Sequence, residues 1–463
     1  MSKKLIILVA FMSLALLGSS FAAVENIKVS GDIYSGAITR DLSLGSTTSP
    51  TRDQEDFLFS QIRLRFDADL TEGVSAVVQL INERVWGLES ESTTFTGTDG
   101  ETYTVKYNDN SETSIDLAYI QLNEFLYQPL TVRVGRQNLY FGNGLIVGDP
   151  DTNQTASGSV PTAIRDLSLR KSFDAVRGTL DYAPYTIDMI YAKVDEGETN
   201  MRDDITLWGT NVAYDWASYN GITEGYFFAA DGRQGSQVPE NQDYTYTVGG
   251  RAQFDPNDNI TLGAEGAYQF GDSYQPWGSA NGDKHLSAFA AQLNSEYRFL
   301  NDYNAKIGAS FTYLSGNDDD SGEYNAWDSL FEDQSPAEII NILFANTNMM
   351  YTQLCGSMMP REDITLGLQW TWAQLAENLT SDSSSEYDGT YYSPSVGPAS
   401  SNFYAIDRNK TEIGNEIDAY ACYDYTEDVQ LKLTGAWFMP GDYFASSSDE
   451  SAYSVRAGIN VDF

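Results

Sequence analysis

From Ser451 to the terminal Phe463 the chain reads SAYSVRAGINVDF, and its residues alternate in character. Tyr453, Val455, Ala457, Ile459, Val461 and Phe463 share one side; Ser454, Arg456, Gly458, Asn460 and Asp462 share the other. Successive side chains of an extended chain point to opposite faces, so this end is a strand with one apolar and one wet face. A fraying terminus has no use for such a pattern. The same period of two recurs in DFLFSQIRLRFDADL (56–70), DYTYTVGGRAQF (243–254), ITLGAEGAYQF (260–270), ITLGLQWTW (364–372) and VQLKLTGAWF (429–438). About eighteen such segments fit into the chain, each near the length of a tilted strand crossing a bilayer.

The connections between segments are sorted by length. Residues 71–73, 127–129, 183–185, 218–220, 255–259, 300–303, 360–363 and 426–428 make short turns. Alternating with them, 41–55, 87–113, 142–172, 195–204, 231–242, 271–285, 315–348, 373–410 and 439–450 make long polar loops. A soluble sandwich has no reason to sort its connections this way. An outer-membrane barrel has short periplasmic turns and longer external loops. Tyr127, Tyr182, Tyr185, Trp216, Tyr219, Phe254, Tyr297, Phe299, Tyr303, Tyr423 and Tyr425 gather at the short-turn ends. Rings with an apolar body and a polar edge form a girdle at a membrane interface. The pattern predicts an all-β fold, a transmembrane antiparallel β-barrel of about eighteen strands whose last strand pairs with its first.

The beginning of the chain carries an export signal. Lys3 and Lys4 precede an apolar run from Leu5 to Gly18, and Ser20-Phe21-Ala22 supplies a small-x-small cleavage site. The expected organisation is a signal peptide over 1–22 and a single barrel domain over 23–463. No later stretch is apolar enough to span a bilayer as one helix. A formal charge of −39 excludes general nucleic-acid binding, which needs a basic footprint. The partners expected instead are outer-membrane lipid and diffusing solutes, small or polymeric, in a Gram-negative-type bacterium.

Parity then assigns the lumen. In 56–70, Leu58, Ile62, Leu64 and Phe66 face lipid, which turns Gln61, Arg63, Arg65 and Asp67 inward. The same reasoning turns Arg177, Thr179, Arg251, Gln253, Lys306, Lys432, Arg456, Glu265, Glu296, Arg298, Glu416 and Asp418 inward. A mid-depth Arg or Lys facing lipid costs ~2–4 kcal/mol, so the parity is enforced. In LTVRVGRQN (130–138) outward Leu130, Val132 and Val134 make Arg133 and Gln137 luminal but leave Arg136 facing lipid; a bulge at Gly135 would bring both arginines inward. Segments 114–125 and 186–194 have ambiguous parity. The predicted pore lining is a positive wall of Arg63, Arg65, Arg133, Arg136, Arg177, Arg251, Lys432 and Arg456, opposed by Glu83, Glu265, Glu416 and Asp418. A barrel of this size leaves an aqueous channel in which charge rings select solutes. The alternative for any one residue is an ion pair that stiffens the wall.

The run VRVGRQNLYFGNGLIVGDP, followed by LRKSFDAVRGTLDYAPYTIDMIYAKV, resembles the alginate-export family of outer-membrane channels. The matching residues are Gly135, Arg136 and Gln137, then Phe173, Asp174, Ala175, Val176 and Arg177. WDSLFEDQSPAEIINILFANTNMM (327–350) echoes a family loop that precedes a strand. The resemblance implies eighteen strands and passive diffusion through a wide pore whose arginines conduct an acidic polysaccharide. The alternating final strand ending in Phe463 also resembles the recognition signal that outer-membrane barrels present to their assembly machinery. Glu83, Glu265, Glu416 and Asp418, as luminal acids, would repel a polyuronate, so alginate itself is not assigned. The expected function is a porin for hydrophilic anionic or saccharide solutes, with an acidic-polysaccharide exporter within that range. The alternatives are a general cation-selective porin and a surface adhesion barrel acting through its loops.

An enzyme is not expected. The single histidine, His285, lies at a loop–strand junction without an identifiable catalytic partner. No cofactor is implied. DPDTN (149–153) begins like a calcium loop but lacks the glycine at the sixth position and the closing Glu, and NDDDSGE (317–323) does not fit that spacing, so no metal site is assigned. Cys355 and Cys422 fall on strands separated by another strand, with Cα atoms ~10 Å apart, and are expected to be free thiols. AEIINILFAN (337–346) either forms a short amphipathic helix that plugs or gates the channel or packs as plain loop.

Overall fold

Amides and carbonyls facing lipid have no water to bond, so every membrane-crossing strand needs a neighbour on each side. In the computed structural model eighteen antiparallel strands meet this demand in one closed sheet. The structure describes residues 26–45, 55–87, 90–96, 102–109, 113–150, 166–196, 204–231, 244–273, 284–317, 323–378, 392–393, 397–398, 406–407 and 409–463. The predicted signal peptide lies outside them. The wall begins with β1 (Asn26–Asp41), β2 (Glu55–Thr71), β3 (Val74–Val85), β4 (Ser114–Leu122), β5 (Leu130–Asn138) and β6 (Ser172–Tyr182). It continues with β7 (Tyr185–Asp195), β8 (Ile205–Trp216), β9 (Gly221–Asp231), β10 (Tyr244–Asn257), β11 (Ile260–Ser273) and β12 (Lys284–Arg298). It ends with β13 (Lys306–Leu314), β14 (Met349–Arg361), β15 (Ile364–Leu375), β16 (Glu412–Thr426), β17 (Val429–Pro440) and β18 (Ala452–Asp462).

Closure is made by the alternating C-terminal strand. β18 pairs antiparallel with β1, and Gly31 and Phe463 exchange both backbone hydrogen bonds at 2.9 Å. Leu58, Ile62, Val134, Val176, Val248, Leu368 and Ile459 are exposed on the outer face, as the parity requires. Their neighbours Gln61, Gln137, Thr247 and Thr371 are buried inside the barrel. At these positions the strand pattern is inverted relative to a soluble protein, apolar out and polar in, whereas inward Leu207, Phe228 and Phe438 add an apolar patch to the interior.

Short turns occupy one rim. The turn between β4 and β5 is longer than the sequence pattern suggested, running over 123–129. Phe125 N–H donates to Leu130 O at 2.8 Å, and Glu124 and Leu126 take positive φ, so pairing stops at Leu122. Tyr127, Tyr182, Tyr185, Tyr219, Tyr303 and Tyr425 are exposed around this rim, the predicted girdle. A second aromatic band follows the long-loop ends of the strands. Trp208 and Phe227 have ring centroids 5.7 Å apart, Tyr246 and Phe270 5.5 Å, and Phe289 and Tyr313 5.0 Å. Outside the wall, Ser90–Thr96 pairs with Thr102–Asp109 in a hairpin within the loop after β3, an element that the sequence reading treated as loop.

Leu433 points outward midway along β17, between luminal Lys432 and Thr434. Leu433→Arg should lower the unfolding free energy of the barrel in lipid vesicles by ~2–4 kcal/mol, read from denaturant titration.

Candidate functional site

Two long loops turn into the barrel. One connects β5 to β6, and its residues 139–150 and 166–171 are described; the other connects β13 to β14, with 315–317 and 323–348 described. They meet at a parallel bridge between Val147 and Phe331. Gly148 N–H donates to Phe331 O at 2.7 Å, Phe331 N–H to Ile146 O at 3.1 Å, and Asp333 N–H to Gly144 O at 2.8 Å. Lys171 forms an ion pair with Asp333 across the same joint. Val147, Leu330, Phe331 and Ile340 share a buried core with Leu207, Phe228 and Phe438 of the wall. Within it lies α1 (Ile340–Leu343), a single helical turn. The segment 337–346 thus contains a helix and belongs to an apolar plug.

Carboxylates on the wall fasten this plug. Glu83 on β3 accepts from Gln61 Nε2 at 2.7 Å, Ser168 Oγ at 2.8 Å and Leu169 N–H at 2.9 Å. Glu265 on β11 accepts from Asn143 N–H and Tyr226 OH, both at 2.8 Å. Glu416 on β16 accepts the N–H groups of Ile339 and Ile340 at 2.6 and 2.8 Å. Such charge-assisted bonds are about twice as strong as neutral ones. Next to Asn143, Gly142 has φ +61°, and a Cβ there would collide with the Glu265 carboxylate. Glutamines complete the fastening. Gln269 donates to Asp328 O at 2.6 Å and accepts from Asp328 N–H at 2.8 Å, while Gln369 donates to Pro336 O at 2.8 Å.

These contacts were not read from the sequence. The signal for them was the recurrence of glutamine at luminal parity, at 61, 269, 353 and 369, where a water-filled wall needs no particular amide. Arg40 was missed likewise. It is buried and bonds Glu55 at 2.6 Å and Asp166 at 2.8 Å, tying the β5–β6 loop to β1.

Because the β13–β14 loop leans on β11, β14, β15 and β16, open space remains against the arc around the β18–β1 seam. A cavity of about 680 Å³ lies there, lined by Tyr34, Arg63, Asp418, Tyr420, Lys432 and Arg456 among others. Most luminal cations are neutralised locally. Arg63 pairs with Asp32 at 2.9 Å, Arg65 with Asp67 at 2.8 Å, and Arg177 with Asp188 at 2.8 Å. Arg251 pairs with Glu224 at 2.9 Å and Arg456 with Glu338 at 3.0 Å.

Two cations differ. Arg133 sits directly across from Arg177, bonds only the neutral Gln121 Oε1, at 2.7 and 3.1 Å, and lies 4.6 Å over the Tyr119 ring. Lys432 lies 5.7 Å over Tyr420. Neither has a carboxylate partner within ion-pair distance among the described residues.

Arg136 departs from the predicted lining. The β5 register against β4 and β6 is unbroken, so no bulge turns it inward. It shares the outer face with exposed Val134 and forms a two-point pair with Asp174, at 2.9 and 2.7 Å, while also donating to Ile115 O at 3.1 Å. Gly135 supplies a positive φ without adding a residue. His285 is highly exposed, with Nδ1 2.9 Å from Asp272. Cys355 and Cys422 are both free.

An eighteen-stranded barrel with an apolar belt, two aromatic bands and infolded loops around a charged passage defines an outer-membrane channel of the Gram-negative type. Residues 43–457 match the alginate export family, and the chain belongs to it. No curated protein matches by sequence. Several solved barrels are similar. OccK2 (OpdF) of Pseudomonas aeruginosa, solved in complex with glucuronate, is 8% identical with a TM-score of 0.51 over 95% of this chain and 98% of that one. OccK5 (OpdH) of the same species is 11% identical, TM-score 0.52, over 96% and 100%. A BenF-like porin from Pseudomonas fluorescens Pf-5 is 11% identical, TM-score 0.52, over 96% and 100%. At such identities the likeness is one of fold.

Glu332, at the joint of the two loops, gives the plug a pH dependence. Asn346 Nδ2 and Gln334 N–H donate to it at 2.8 and 2.5 Å. Burial pushes its carboxyl from 4.5 up to about 8, with Asp149 and Asp333 adding repulsion. The folded state then holds a proton that the unfolded state has lost, so the stabilisation is full below pH 4.5 and disappears as pH rises through about 8. Raising the pH from about 6 to about 9 should speed amide exchange across 323–348 beyond the intrinsic increase, and Glu332→Gln should abolish the excess.

Proposed function

We propose that the channel passes small hydrophilic anions, carboxylated saccharides among them, by passive diffusion along the arc between β16 and β6. The observation carrying this reading is the state of the luminal charges. Glu83, Glu265 and Glu416 are each directed at backbone amides of the infolded loops, whereas Arg133 and Lys432 have only neutral partners. Buried under the loops, these carboxylates are kept at a distance from a passing anion, whereas Lys432 is exposed to the passage and Arg133 is partly so. A guanidinium bonded to a neutral amide keeps its full charge for a solute. The acids thought to oppose a polyuronate are thereby largely answered. The infolded loops with their apolar core narrow the lumen, which favours small solutes over the polymer. That OccK2 was solved with glucuronate is consistent with this solute class.

The same reading covers the chain's biogenesis. Residues 1–22 act as a secretory signal, the remainder forms one domain, and the strand ending in Phe463 addresses the barrel-assembly machinery. Before the seam closes, β18 presents an unpaired edge together with an outward terminal ring, which suits capture by another sheet.

The reversal potential of the purified barrel in a planar bilayer under a salt gradient should show anion preference. Arg133→Gln should reduce the anion-to-cation permeability ratio by about two- to threefold. A cation preference in the unmodified channel would replace this proposal with a general cation-selective porin.

A further inference from the structure

Lipid touches the outside of the wall, and one stretch of that surface departs from the rest. Toward the long-loop ends of the strands, large rings such as Trp208, Phe270, Phe289 and Trp437 are exposed on the outer face. Toward the same ends of β1 and β2 the outward residues are Ala37, Thr39, Asp56 and Leu58 instead. A groove of about 850 Å³ opens there, with Ala37, Thr39, Leu58, Trp86, Val455 and Ala457 in its lining. Ala457 of β18, Ala37 of β1 and Leu58 of β2 stand in register, and Trp86 N–H donates to Leu58 O at 2.7 Å. Leu58, Trp86 and Val455 are exposed and form the sides, while the two alanines keep the floor low.

Beside the groove stands a cation without an anion. Glu83 and Val85 of β3 are buried in the interior, which turns Arg84 and Trp86 outward. Arg84 is half-buried, and among the described residues no carboxylate lies within ion-pair distance of it. Two other outward cations are answered by the protein itself, Arg136 by Asp174 at 2.7 Å and Lys193 by Asp204 at 2.6 Å. Asp56, the acid of the groove lining, does not answer Arg84. Arg84 stands opposite Ser60, four residues along β2 from Asp56, which is ~13 Å of strand and more than a Debye length of ~8 Å.

An arginine on the lipid side is costly unless an anion meets it or its head reaches the interface. Its neighbour Trp86 marks that interface, where the anions a membrane offers are headgroup phosphates. A guanidinium takes two phosphate oxygens at once, and the apolar groove beside it suits the chain of the same molecule. Long loops lie on the external side, so the leaflet concerned is the outer one, which in a Gram-negative outer membrane is built of phosphorylated glycolipid. We infer that Arg84 and the groove beside it hold one such glycolipid against the wall. Arg84 bonds its phosphate, and an acyl chain lies over Ala37 and Ala457 between Leu58 and Val455.

The test is native mass spectrometry of the full chain, released in mild detergent and titrated with lipid A or with lipid A stripped of its phosphates. The unmodified chain should hold the phosphorylated lipid about tenfold more tightly, and Arg84→Gln should remove that preference. Arg136→Gln, which alters an outward arginine already paired with Asp174, should leave it intact. Ala37→Leu, which fills the groove with an apolar side chain, should weaken both lipids by about tenfold. Thermal unfolding identifies any variant that fails to fold, and Arg84→Lys, which keeps the charge but loses the two-point geometry, should show an intermediate preference. Equal retention of the two lipids by the unmodified chain, or a preference that survives Arg84→Gln, overturns the phosphate contact and the site with it. Binding indifferent to Ala37→Leu overturns the groove as the bed of the chain. A lipid-free dimer that Ala37→Leu converts to monomer overturns the lipid and gives the groove to a second copy of this protein.

Discussion

Everything in this molecule depends on the fact that hydrocarbon offers a backbone amide nothing to bond. That prohibition forces the sheet to close, and closure falls to the pairing of the first strand with the last, sealed by Gly31 and Phe463. Once the sheet is closed, lipid claims one side-chain parity and water the other. The wall can then hold charges at membrane depth, because residues of the luminal parity have an aqueous side to face, and the outward Arg136 is paired with Asp174.

A wide barrel with a wet interior would be an unselective hole. Here the interior is narrowed by two loops that bring an apolar core with them, built around Val147, Phe331 and Ile340. An apolar plug in an aqueous tube must be tethered through its backbone, since its side chains are occupied with one another. The wall supplies the tethers as carboxylates and amides: Glu83, Glu265 and Glu416 receive loop N–H groups, and Gln269 and Gln369 meet loop carbonyls. The arrangement narrows the passage and buries Glu83, Glu265 and Glu416 beneath the loops.

Much of the architecture was legible in the sequence because membrane barrels impose a local rule. Alternation, sorted loop lengths and aromatic ends each depend on neighbouring residues only, so strand number and the two rims followed directly, and lumen parity followed everywhere but in the segments 114–125 and 186–194 and at Arg136. Arg136 shows where a local rule must be allowed to stand. Parity placed it outside, a bulge was invoked to rescue it, and the structure keeps it outside with Asp174 at hand and backbone to help. Neutralisation by a neighbour removed the reason to turn it inward.

The residues of the passage were only half legible. Sequence alone indicated which side chains face the lumen along most strands, because the lipid boundary acts strand by strand, but it left 114–125 and 186–194 undecided and placed Arg136 on the wrong side. It did not determine which of those side chains meet a solute, since that depends on partners: Arg177 finds Asp188 within a hairpin, but Glu416 meets Ile339 and Arg456 meets Glu338 on a loop distant in the chain. Tertiary structure decided that Glu83, Glu265 and Glu416 serve as anchors while Arg133 and Lys432 keep their charge available. The physical reason is that period two reports a residue's side of the sheet, whereas its hydrogen-bond partner is set by how loops of variable length fold back into the space the sheet encloses.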